Sequence, residues 1–80
     1  MMSTTYYIAD RYNKKRFENP LVTVNNSGIV WKKCVVEEQP VNGLEDLIKF
    51  FSKKDRQERY ALEDESGKTY TLNDLMDLLK

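Results

Sequence analysis

Between residues 11 and 17 the chain reads RYNKKRF, which interleaves Arg11, Lys14, Lys15 and Arg16 with Tyr12 and Phe17. Bases that neutralise phosphates, set beside rings that stack on nucleobases, are the combination used by single-strand binders. Four charges in so short a run would give weak, salt-sensitive affinity with little choice of sequence. The competing expectation is a solvated connection, in which Tyr12 and Phe17 pack as strand ends and the bases keep a sheet edge soluble.

Two acidic runs, Glu37-Glu38 and Glu63-Asp64-Glu65, have the groups for acid-base work or for holding a hard cation, but neither follows the spacing of a calcium loop. The chain contains no histidine, and so lacks the side chain most often used as a general base at neutral pH and the commonest metal ligand. Cys34 is the sole cysteine. It cannot complete a zinc set or close an intramolecular disulfide, and in the run KCVV it reads as a small buried hydrophobe. The segment ESGKT resembles the end of a phosphate loop, yet it lacks the upstream glycine and leads into a strand where that motif needs a helix. The expectation is a protein that is not an enzyme and carries no cofactor or metal.

Eighty residues allow one small core, so residues 1–80 are expected to form a single compact domain whose function shares surface with its fold. No run approaches the roughly 20 apolar residues that cross a bilayer. The start, MMSTTYYIAD, lacks the charged and then apolar segments of a secretory signal. With one unpaired cysteine, these features suggest a soluble cytoplasmic protein without a membrane partner. Net charge is zero but divided: residues 1–33 carry six bases against Asp10 and Glu18, and the remainder carries the balancing negative excess. Such a dipolar surface suits a partner with one charged face, but it falls short of the basic excess of a committed nucleic-acid binder.

The elements that must position these residues can be read from period and punctuation. In the segment LVTVNNSGIVW a hairpin is expected that pairs Val24 with Ile29 and Val22 with Trp31. A bulge at Lys32 and Lys33 would return Cys34 and Val36 to the same face. In RYALEDESGKTYTL a three-residue loop, Glu65-Ser66-Gly67, sets Leu62 opposite Tyr70 and Tyr60 opposite Leu72, keeping the large apolar side chains on one face. A further strand at TYYIA places Tyr6 and Ile8 together. Two helices follow the strands. In the first, Asn42 is the expected cap and Leu44, Leu47, Ile48 and Phe51 the buried stripe; in the second, Thr71 is the cap and Leu72, Leu75, Met76 and Leu79 the stripe. The expected fold is α+β, a small mainly antiparallel sheet of about five strands and two hairpins, with two short helices packed on one face.

On that framework Phe50 and Leu78 lie outside their stripes and are candidate apolar anchors for a protein interface, with charges at the rim. Asp74, Asp77, Glu63 and Asp64 belong to an acidic set that could frame such a contact. The favoured expectation is a stoichiometric protein-binding module, of the small inhibitor or adaptor kind, acting on a larger machine as accessory proteins of phages and mobile elements do. The alternative is a weak nucleic-acid-binding domain working through Arg11, Tyr12, Lys14, Lys15, Arg16 and Phe17. Composition leaves the oligomeric state open.

Overall fold

The computed structural model describes residues 3–79. The strand β1 (Thr4–Asp10) is the central one, with alternate residues Tyr6, Ile8 and Asp10 buried. One side of β1 is held by β7 (Tyr60–Asp64), in a register that sets Ile8 against Leu62 and Ala9 against Ala61. Its other side is shared end to end by β2 (Lys15–Arg16) and β3 (Val22–Asn25). β3 turns through Asn26-Ser27 into β4 (Gly28–Trp31), and β7 turns into β8 (Thr69–Tyr70), so the sheet runs β4-β3-β1-β7-β8 with β2 beside β1. Every pairing is antiparallel.

Both hairpin registers follow from the hydrophobic pattern. Val22 faces Trp31 and Val24 faces Ile29; Leu62 faces Tyr70. The β7–β8 loop is the three residues Glu65-Ser66-Gly67, closed by the Asp64 N–H on the Lys68 carbonyl at 2.9 Å. Gly67 takes a φ of +93°, a conformation that side chains resist. The pairing of Tyr60 with Leu72 is not made, because the strand ends at Tyr70 and Leu72 opens a helix.

The bulge expected at Lys32 and Lys33 is replaced by a departure from the sheet. After the Lys32 N–H reaches the Leu21 carbonyl at 3.0 Å, the chain forms a separate ribbon, β5 (Cys34–Val36) with β6 (Gln39–Val41). Cys34, Val36 and Val41 are buried there, while Val35 and Pro40 face outward as a pair. Pro40, which lacks an N–H, is tolerated because a two-stranded ribbon has an unpaired side. The ribbon turns on Glu37 and Glu38, both at positive φ (53° and 63°). Glu37 is secured by the Tyr60 hydroxyl, which donates to it at 2.7 Å.

Three short helices complete the chain. α1 (Leu44–Phe50) starts at Gly43 rather than from an Asn42 side-chain cap; the Asp46 carboxylate instead accepts from the Asn42 backbone at 3.1 Å. Its buried side is Leu47 and Phe50, continued by Phe51 just past its end, while Ile48 is exposed, so the expected stripe is rotated. α2 (Lys54–Arg59) is polar all round and has no counterpart in the expected pair. It is tied down by Arg56, whose buried guanidinium lies over the Phe50 ring and donates to Gln39 at 2.8 Å. α3 (Leu72–Leu78) begins with a reciprocal capping box between Thr71 and Asp74 and buries Leu75, with Leu79 just beyond.

Phe50, Leu47, Leu75 and Leu79 join Tyr6, Ile8, Val22, Tyr60 and Leu62 in one cluster, on the face of the sheet where these strand residues alternate inward. The opposite face carries Thr5, Tyr7, Ala9, Thr23, Ala61 and Glu63, and among the described residues no helix covers it.

Candidate functional site

The basic run folds as a turn built on a buried acid. Asp10, at the end of β1, accepts from the backbone N–H groups of Tyr12 and Asn13 and from the Asn13 amide, and it holds Arg59 of α2 at 3.1 Å. The Arg59 guanidinium, with these N–H donors, holds the Asp10 carboxyl down at about 2. Arg11 donates its backbone N–H to the Arg59 carbonyl at 2.8 Å and its guanidinium to the Glu58 carbonyl. Tyr12 is 65% exposed, with Arg59 against its ring. Lys14, at a φ of 56°, and Lys15 project into solvent.

Arg16 and Phe17 have other duties. Arg16 lies 4.4 Å over the Tyr7 ring and donates to Glu63 at 2.9 Å; with both side chains partly exposed the pair is worth at most about 1 kcal/mol. Phe17 is half-buried against Tyr60. Arg11, Lys14, Lys15 and Arg16 nonetheless line one hollow of about 390 Å³ on the uncovered face, together with the cross-strand pair Ala9 and Ala61 and the acids Asp10 and Glu63. Those two alanines escape a search for charged or aromatic residues; their signal is that neighbouring positions of β1 and β7 hold larger side chains.

The six residues expected at a protein interface separate into three groups. Phe50 is 0% exposed, in ring contact with Phe51 and Tyr60, and is a core residue rather than an anchor. An aromatic at this position fills the space under Tyr60, which the rotated stripe of α1 requires. Asp64 is also interior: it accepts from Ser66, Lys68 and the Tyr70 hydroxyl, and so staples the β7–β8 loop. The Ser66 and Tyr70 hydroxyls hold its carboxyl at about 2, and the bond to Asp64, with burial, pushes the Tyr70 phenol up to about 12. Glu63 points to the uncovered face, where Arg16 takes it.

Asp74, Asp77 and Leu78 do come together. They line an open hollow of about 420 Å³ between α3 and β8, with Lys68, Thr69 and Tyr70 on the other wall. Leu78 is 48% exposed. Asp74 spends one oxygen on the Thr71 backbone in the capping box, and the Lys68 ammonium lies 5.4 Å from the Tyr70 ring centre. The hollow therefore combines the apolar side chain of Leu78 and the Tyr70 ring with charges of both signs. The hairpin pattern accounts for Tyr70 alone, and the return of α3 beside β8 makes Lys68 and Tyr70 a wall.

Cys34 is a buried free thiol, and burial raises it above its ordinary range. Among the described residues no group of three acids or cysteines gathers to hold a metal ion, and no helix is long and apolar enough to cross a membrane. The fold and these surfaces define a small α+β domain with one covered and one uncovered sheet face. No family model matches the chain, and comparison with curated proteins and with solved structures finds no similar protein.

Proposed function

We propose that this chain is a non-enzymatic protein-binding module, an inhibitor or adaptor that works in the cytoplasm by stoichiometric capture of a larger partner. The observation that carries the reading is the α3–β8 hollow, which is lined by the half-exposed Leu78 and the Tyr70 ring together with Lys68, Asp74 and Asp77. Interfaces concentrate their energy in such a pattern, an apolar anchor excluded from water by polar neighbours. The complementary surface is an apolar side chain that packs on Leu78 within a charged rim. Bound protein rather than a small substrate fits an open hollow between a helix and a sheet edge.

A Leu78→Lys variant tests this. Captured protein should fall about tenfold or more, the scale of a lost hot spot, while the melting midpoint stays where it was because Leu78 is half in solvent. Unchanged capture, or capture lost only in step with stability, overturns the reading.

A second reading rests on the hollow lined by Ala9, Ala61 and the bases Arg11, Lys14, Lys15 and Arg16, where Asp10 and Glu63 are already engaged by Arg59 and Arg16. A phosphate could lie among those bases, with the exposed Tyr12 ring available nearby for a nucleobase. Charge reversal at Lys14 and Lys15 should then abolish oligonucleotide binding. It leaves capture by the α3–β8 hollow untouched, so the two readings separate.

A further inference from the structure

The end of the sheet at β4 has an uncompleted pattern of hydrogen bonds. A two-residue turn at Asn26-Ser27 makes Asn25 and Gly28 a bonded pair, so Val30 bonds to Thr23 in turn. The Lys32 N–H on the Leu21 carbonyl continues the same alternation. The backbone groups of Ile29 and Trp31 therefore point off the sheet, where among the described residues no strand pairs with them. Side chains along this edge are also apolar and accessible, Ile29 at 38% and Val30 at 47%. Gly28–Trp31 carries none of the proline or charge that natural edges use to repel another strand.

We propose that this edge is completed by the same edge of a second copy of the chain, in antiparallel pairing about a two-fold axis at Val30. Outward-pointing residues must meet outward-pointing residues, and the register that sets Ile29 against Trp31 of the second copy satisfies every outward group through four backbone hydrogen bonds. Val30 then faces Val30 of the second copy on the uncovered side, and Ile29 meets Trp31 twice on the core side. Lys32 and Lys33 fall beside Gly28 and Ser27 of the second copy, so no like charges meet. A shift by two residues in one direction sets Lys33 against Ile29; a shift in the other sets Trp31 against the turn and loses bonds. The strand is thus self-complementary in one register, and it is this register that commits the edge to a second copy. Two four-residue strands bury less than the roughly 1,200 Å² of a stable complex, so the dimer is concentration-dependent.

Sedimentation of the full chain over a dilution series tests the proposal. The mass should rise with concentration from 9.5 kDa toward twice that value. Ile29→Pro removes an outward N–H without touching a bond of the hairpin, and Val30→Lys sets two charges together on the axis; each should abolish the rise while the melting midpoint is kept. Val30→Cys in an oxidised glutathione buffer should form a disulfide-linked dimer faster than Val35→Cys, since Val35 is exposed away from this edge. A mass of 9.5 kDa at every concentration, a rise that survives both substitutions, or equal cross-linking of the two cysteine variants overturns the proposal. So does a β4 edge that takes up an unrelated extended peptide while the chain itself stays monomeric.

Discussion

The two ends of the sheet are made from similar hairpins and finished in opposite ways. At the β8 end the strand is only two residues long, its loop is stapled by Asp64, and α3 follows at once with its own capping box. Backbone that a longer strand would have left open is absorbed into helix and loop. At the β4 end the strand is four residues long, its turn has no charged side chain, and the chain leaves for the β5–β6 ribbon without covering it. A protein can therefore protect one edge by shortening it and leave the other as a template. The protected end presents side chains at its surface, Leu78 above all, whereas the open end presents backbone.

The difference should be sharpest in stability. Leu75, fully buried on the inner side of α3, should cost about 2–5 kcal/mol when cut to alanine. That is a large part of the roughly 4–12 kcal/mol expected of a chain this long. Val30→Thr at the open end should change stability by no more than about 0.5 kcal/mol. Urea denaturation of the two variants checks both, and similar losses would mean that the ends are equally built in.

Acid should weaken the stapled end next. The Asp64 and Asp10 carboxyls are held at about 2 against an ordinary 3.8, so the folded chain binds their protons less readily than the unfolded chain. Their contribution is complete above about pH 5 and drains away as the pH falls through 3.8 toward 2. Unfolding midpoints measured from pH 6 to pH 2 should drop over that window, and Asp64→Asn should reduce the slope. A slope unchanged by the substitution would remove Asp64 from the account of the edge.

The smallest effect lies in the ribbon that draws the chain away from β4. Glu38 sits in a left-handed conformation that glycine adopts without strain, so Glu38→Gly should raise the melting midpoint by the equivalent of roughly 0.5 kcal/mol. A lower midpoint would show that the Glu38 side chain supports the turn.

Much of this contrast is written in the sequence, where local chemistry decides the outcome. The registers of both hairpins follow from residues that alternate with period two around recognisable turns, Asn26-Ser27 and Glu65-Ser66-Gly67, and Thr71 with Asp74 marks the start of α3. The ribbon is hidden because Glu37-Glu38 has none of the usual turn chemistry and Pro40 reads as a break. Phe50 is misplaced for a different reason. Leu44, Leu47, Ile48, Phe50 and Phe51 supply two overlapping stripes across a helix of seven residues and its C-cap, and ring contact with Tyr60 goes with the one that holds both phenylalanines. α2 has no apolar period at all, since its anchor is the buried Arg56. Asp64 looks like one more surface acid until the loop closes around it.

Amide hydrogen exchange along β4, read residue by residue at low and high protein concentration, is the most direct test of the unequal edges. At low concentration the Val30 and Lys32 amides should be protected and those of Ile29 and Trp31 should exchange freely, since only the first pair bonds within the chain. At high concentration the Ile29 and Trp31 amides should become protected as a second copy arrives. Protection of all four at low concentration, or no change in Ile29 and Trp31 at any concentration, would contradict the open edge and its completion by another copy.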